Sequence, residues 1–230
     1  MLKQALKIVF PMTLPIMAGY IFLGTSFGLL ATSLNLHPLI PIVMSLIIYS
    51  GATQFAALNL LIAPFDPIGS LLLSLMVSAR HVFYGITMLP IYGELSGWKK
   101  QYAIFGLTDE TFSLNVATEV PEGIDKNWVY FLISGLNQSY WVIGTILGVI
   151  LGEMIALDTT GIEFILVSMF VAIFTEQWLS TDEHRPALIG LGSSLLALFI
   201  FGAEQFMIPA MLFIIGTLLV MKPRQEGEND

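Results

Sequence analysis

The chain has 230 residues, 56% of them hydrophobic and 11% charged, with a mean hydropathy of +0.81. Soluble domains carry about a quarter charged residues, so the apolar surface here exceeds what a soluble fold of this length can hide, and lipid must solvate most of it. A net charge of −8 without a basic stripe excludes nucleic-acid binding, and the absence of cysteine excludes disulfides, thiolate metal sites and thiol catalysis.

Lys3 and Lys7 precede a first apolar run, 8–34. It is much longer than a secretory h-region of about 7–15 residues, which predicts a retained membrane helix. A span needs about 20 apolar residues, and further runs of that kind occupy 38–63, 67–90, 127–151, 161–179, 186–202 and 203–221. Pro, Gly or polar joints separate them ("NLHP", "APFDP", "GELSGWKKQ", "STDEHRP"). An eighth segment, 101–120, is long enough to cross but carries Asp109, Glu110 and Asn115. Protein-enclosed, re-entrant and interfacial placements are all open to it. The expected fold is an all-α polytopic membrane protein with seven or eight transmembrane helices. The Lys and Arg count is six against two for either number of spans, so the positive-inside rule does not choose the orientation.

The halves echo each other. "YIFLGTSFGLL" (Tyr20–Leu30) aligns without gaps to "YWVIGTILGVI" (Tyr140–Ile150) at an offset of 120. Tyr20, Gly24, Thr25 and Gly28 fall on Tyr140, Gly144, Thr145 and Gly148. Ser45 and Gln54-Phe55 then meet Ser168 and Gln177-Trp178 at an offset of 123. Two matches in the same order favour a repeat over chance. The expected organisation is one integral membrane domain with repeat halves at about 8–90 and 127–221. A polar connection, 91–126, joins them and an acidic tail, 222–230, follows. Duplicated halves are a transporter architecture, with the substrate site between them near the midplane. Seven spans would invert the halves and eight would leave them parallel.

Within this frame a few polar residues carry the chemistry. Gly24-x-x-x-Gly28 and Gly144-x-x-x-Gly148 set small residues one turn apart, a helix-packing device in lipid. Gln54 lies deep in the second run, and interhelical glue and ligand contact are equally good readings of it. Gln177, preceded by Glu176, has the same standing, and Asn59 a weaker one. Arg80 follows Pro67 by about 20 Å of helix, at a depth where translocon scales charge about 2.5–3.5 kcal/mol for Arg. Ten residues still separate it from Pro90, so snorkelling from a helix end is awkward. An inward-facing cation paired to Asp109, Glu110 or a substrate carboxylate is favoured. Tyr84, one turn on, shares its face, whereas His81 points about 100° away and reads first as a packing residue. In "LTDET", Thr108 or Asp109 can start a helix while one carboxylate pairs Arg80 or a substrate ammonium. An enzyme would need a nucleophile or metal beside those acids. H-E-x-x-H, G-x-S-x-G, G-x-x-x-x-G-K-[ST] and G-x-G-x-x-G are all absent. An intramembrane enzyme therefore ranks last, no cofactor or metal is expected, and transport, if energised, draws on a gradient or another subunit.

"GTSFG", "YSGATQFAAL", "SARHVFYG" and "LTDETFSL", in that order, resemble the AzlC family, the larger subunit of AzlCD/YgaZH-type branched-chain amino acid exporters. The resemblance covers essentially the whole chain. It implies a multi-pass protein of the cytoplasmic (inner) membrane that exports leucine, isoleucine, valine and sometimes methionine. It also implies a small hydrophobic AzlD-type partner of about a hundred residues, the size of one small domain. An apolar amino acid presents a carboxylate, an ammonium and a branched side chain. Arg80 suits the first, Asp109 or Glu110 the second, and apolar neighbours of Gln54 (Phe55) and Arg80 (Phe83, Tyr84) the third. The rival is a non-transporting membrane scaffold or sensor subunit, in which the same residues only hold helices together.

Overall fold

The computed structural model describes residues 2–62, 64, 66–78, 80–154 and 184–202, with scattered positions in 164–179 and 206–217. The chain divides into two units, Met1–Val167 and Ser168–Asp230. Among the described residues every regular element is a helix. In the first unit these are α1 (Leu2–Ser33), α2 (Leu39–Ile47), α3 (Gly51–Ile62), α4 (Pro67–Ser78), α5 (Arg80–Gly93), α6 (Gly97–Phe105), α7 (Asp109–Ala117) and α8 (Lys126–Met154). In the second unit α9 (Arg185–Phe201) has a proline in its first turn and ends at Gly202, whose φ is +73°. Most of the runs 161–179 and 203–221 lies outside the described residues.

The first unit encloses two apolar clusters, one around Met88 and Ile133 and one around Phe27 and Leu58, together with many polar side chains, and it exposes large apolar ones. Large apolar side chains recur at helical spacing on the exposed faces: Leu6, Phe10 and Leu14 on α1; Val82, Ile86 and Leu89 on α5; Ile143, Leu147 and Ile150 on α8. Thr13, Ser45, Gln54, Thr111, Asn115, Ser134, Asn137 and Thr145 are fully enclosed. Large apolar side chains outside with polar side chains enclosed is the pattern a lipid solvent selects. Among the described residues α1 is the one helix that passes a length-and-hydropathy test for a span. The others are either too short or made too polar by what they bring inside.

Two of the expected runs are interrupted. The run 38–63 breaks between α2 and α3, where Tyr49 takes a left-handed φ of +43°. That break strips carbonyls from the end of α2. Gln138 on α8 serves two of them, donating from Nε2 to Leu46 O at 3.0 Å and to Ser45 O at 3.4 Å. The segment 101–120 is not one helix either, because α6 stops at Gly106 and α7 starts after Thr108. A Cβ on Gly106 would stand 2.7 Å from Ser134 Cβ, so only glycine lets this break sit against α8.

The tightest contact in the unit is between α1 and α8, which run parallel. Its atoms are related by the same offset of 120 found in the sequence. A Cβ on Gly24 would stand 2.6 Å from Trp141 O, and one on Gly144 2.6 Å from Ile21 O. A Cβ on Gly28 would overlap Thr145 O, and one on Gly148 would overlap Thr25 O. Each contact is the image of another. Thr25 and Thr145 return their hydroxyls to Ile21 O and Trp141 O, so these two side chains stay hydrogen-bonded while the backbones touch.

Candidate functional site

The start of α7 organises the site. Thr108 is its N-cap, with Oγ1 accepting from Thr111 N at 3.3 Å. Asp109 and Glu110 fill the first turn, where the positive end of the helix dipole favours carboxylates. "LTDET" is thus a helix start set within the membrane protein's interior, and it points its two acids to different neighbours.

Asp109 faces α5. Its Oδ2 lies 2.8 Å from Arg80 Nη2, and its Oδ1 accepts from Tyr84 OH at 2.7 Å. Tyr84 stacks on Phe112 with ring centroids 4.3 Å apart and planes at 12°. Arg80 and Tyr84 are one turn apart on α5, and Asp109 and Phe112 one turn apart on α7. The two faces therefore meet charge to charge and ring to ring. The Arg80 and Asp109 side chains are 34% and 28% exposed, so the pair is reachable rather than sealed.

Glu110 faces α1. Tyr20 OH lies 2.6 Å from Glu110 Oε2 and 2.6 Å from Thr108 Oγ1. Thr108 Oγ1 also lies 3.0 Å from Thr111 Oγ1, which accepts from Asn137 Nδ2 on α8 at 3.0 Å. A chain of hydroxyls therefore connects Glu110 to α8. Tyr49, at the break between α2 and α3, packs its ring 6.3 Å from that of Phe105 at the end of α6. The two helix breaks meet there.

The structure brings together Arg80, Tyr84, Asp109 and, on the other side of the same helix start, Glu110. Gln54 belongs to a different set. It donates from Nε2 to Ser45 Oγ at 3.0 Å, and Ser45 Oγ is 2.8 Å from Thr145 Oγ1. This is a hydrogen-bonded brace between the broken helix and α8, with Gln54 Oε1 buried and without a hydrogen-bond partner among the described residues. His81 sits beside Arg80 but turns away, its Nδ1 3.1 Å from Ser78 O and its ring edge-on to Tyr84 at 5.5 Å. Gln177 and the side chain of Asn59 lie outside the described residues.

Sequence reasoning missed Tyr20, Thr111, Phe112 and Asn137 as members of the site. Tyr20 had one signal, its recurrence as Tyr140. Both phenols make interhelical hydrogen bonds, Tyr20 to Thr108 and Tyr140 to Thr13 at 3.0 Å.

Comparison with known proteins bears on this arrangement. A family model described as AzlC protein matches residues 15–155, a stretch that holds every site residue named above except Gln177. The chain is 45% identical to the branched-chain amino acid transport protein AzlC of Bacillus subtilis, over 97% of this chain and 88% of that one. It is 41% identical to an uncharacterized membrane protein of Haemophilus influenzae, over 99% of this chain and 94% of the other. Inner membrane protein YgaZ of Escherichia coli is 32% identical over 87% of this chain and 82% of its own length. No solved structure matches.

Proposed function

We propose, from the premise that this chain belongs to the AzlC family, that it is a secondary transporter subunit exporting branched-chain amino acids. Export takes place across the cytoplasmic membrane together with a small hydrophobic AzlD-type subunit. The observation that carries the reading is the Arg80–Asp109 pair, 2.8 Å apart and partly open. An amino acid is a zwitterion, and an ion pair is its charge complement. When the substrate enters, its carboxylate takes Arg80 and its ammonium takes Asp109. Two charges are exchanged for two, and no unpaired charge is left in a low-dielectric site. The stacked Tyr84 and Phe112 beside the pair supply an apolar wall for a branched side chain. The two helix breaks fit the way such sites are built, from discontinuous helices near the midplane.

The parallel course of α1 and α8 supports the eight-span count and parallel halves. Two helices that cross in the same direction need an odd number of crossings between them. The 38–63 and 67–90 runs supply two, and the α6–α7 segment supplies the third. Gln54 we assign to bracing the broken helix.

Leucine efflux from preloaded cells, with the chain co-expressed beside a small hydrophobic partner, tests the reading. Arg80→Ala and Asp109→Asn variants that insert normally are expected to lose efflux. Parent-rate efflux from either variant would overturn the assigned roles. No efflux from the inserted parent with its partner would favour the scaffold.

A further inference from the structure

The contact between α7 and α8 holds oxygens that the site above does not use. Thr111 and Asn115 come to it from α7, Ser134 and Asn137 from α8, and all four are fully enclosed. Asn137 Nδ2 donates to Thr111 Oγ1 at 3.0 Å and closes one end. At the other end Asn115 Nδ2 donates to Tyr92 OH at 2.8 Å, and the Tyr92 ring packs edge-on against Tyr130 of α8 at 6.0 Å. Ser134 lies one helical turn from both Tyr130 and Asn137, between the two ends.

Asn115 Oδ1, Ser134 Oγ and Asn137 Oδ1 are buried and without a hydrogen-bond partner among the described residues. A neighbour fixes the orientation of Asn115. Tyr92 spends its one proton on Ala103 O at 3.2 Å, so it accepts from Asn115 and leaves the Asn115 carbonyl on the free branch. Enclosed oxygens are rarely left unserved, and three on one contact call for a shared positive partner.

A water would serve these oxygens as an ion would; the charge around them selects the ion. Asp109 and Glu110 bring two negative charges to the first turn of α7, Glu110 accepting from Tyr20 O–H as a carboxylate, and Arg80 brings one positive charge. Thr111, next along the helix, stands beside the remaining negative charge, in surroundings that screen it little. α6 ends at Gly106, whose Cβ position is 3.2 Å from Ser134 Oγ, so the negative end of that half-helix lies at the same contact. Half-helix C-terminal ends are where transporters coordinate sodium. Neutral carbonyl and hydroxyl donors suit a monovalent ion, whereas calcium and magnesium sites draw on carboxylates.

We propose that Asn115, Ser134 and Asn137 form a binding site for a small monovalent cation, with sodium as the ion. Bound there, it joins α7 to α8 and balances the excess charge at the start of α7. Binding needs no transported substrate, so the site is tested separately from the transport reading.

The test follows thermal unfolding of the full chain in lipid nanodiscs, with sodium chloride exchanged for choline chloride at constant ionic strength. The parent midpoint is expected to rise with the logarithm of sodium concentration, as for any ligand of the folded state alone. A midpoint that ignores the exchange would overturn the proposal and assign these oxygens to buried water. Ser134→Ala deletes an oxygen without a partner among the described residues. In choline it is expected to melt no earlier than the parent, and in sodium to lose most of the rise. Asn137→Ala gives up its bond to Thr111 as well, so it should melt earlier in choline and respond little to sodium. Ser139→Ala, on the exposed side of α8, should keep the full rise. A full rise in both Ser134→Ala and Asn137→Ala would place the ion elsewhere and overturn the site. Glu110→Gln removes the excess charge and none of the three oxygens, and is expected to move the response to higher sodium. An unchanged response in that variant would overturn the charge balance that selects an ion.

Discussion

Arg80 and Asp109 come from helices 29 residues apart in the chain, and their charges meet where each side chain is about one-third exposed. Removing one partner takes away the other's ion pair, whereas removing both leaves no charge to compensate. Arg80→Gln and Asp109→Asn are each expected to lower the thermal midpoint, and the double variant to regain most of the loss. Leucine transport should stay lost in all three. Transport regained together with stability would make the pair structural only. Tyr84→Phe separates the hydroxyl from the ring, keeping the stack on Phe112 while deleting the bond to Asp109. Interhelical hydrogen bonds in membrane proteins average about 0.6 kcal/mol, so its stability should fall little while KM for leucine rises. Arg80 and the acids of "LTDET" were legible in the sequence because a charge inside an apolar run has few explanations. Tyr20 was not. A phenol in an apolar helix reads as packing, and its carboxylate partner lies 90 positions away, beyond any local pattern.

The helices show the same division between local and distant causes. Runs of apolar residues locate α1, α3, α5 and α8, and Thr108 with its two following acids announces the start of α7. The break at Tyr49 is only faintly marked in the sequence, since "SLIIYSGAT" is still apolar enough to continue a span and Ser50-Gly51 is its one local hint. What makes the break tolerable is Gln138, on a helix 92 positions further along, which donates to Leu46 O. Gln138→Leu keeps the bulk and removes the donor. Unserved buried carbonyls cost about 1–3 kcal/mol, so the variant is expected to melt earlier, with its greatest loss of hydrogen-exchange protection at 45–51. Uniform protection across α2 and α3 in that variant would show that Gln138 does not hold the break.

At the scale of the whole unit, the Gly24/Gly28 and Gly144/Gly148 crossing is the feature that the sequence displays most openly, because one contact is written into the chain twice. Gly28→Ala and Gly148→Ala each drive a methyl into a backbone carbonyl of the facing helix, which no rotamer change relieves. Overpacking costs about 1–3 kcal/mol even where side chains give way, so both variants should sit at or above the upper end in thermal unfolding. Gly85→Ala and Gly93→Ala, whose Cβ positions meet nothing within 4 Å, serve as controls and should leave the midpoint unchanged. Parity between the two sets would mean that α1 and α8 do not touch as described.

Such a crossing also decides what can move. Helices that slide past each other do so on side chains that swap rotamers, whereas at Gly24, Gly28, Gly144 and Gly148 α1 and α8 meet backbone to backbone, with Trp141 wedged between Tyr20 and Phe27 beside them. The pair is an axle. Any motion that opens the Arg80–Asp109 region first to one face of the membrane and then to the other must swing the half-helices around it, bending at Tyr49 and at Gly106–Thr108. The chain has no cysteine, so paired spin labels on introduced cysteines report without background. Labels across α1 and α8 should keep one distance with and without leucine, while labels across either break should show two.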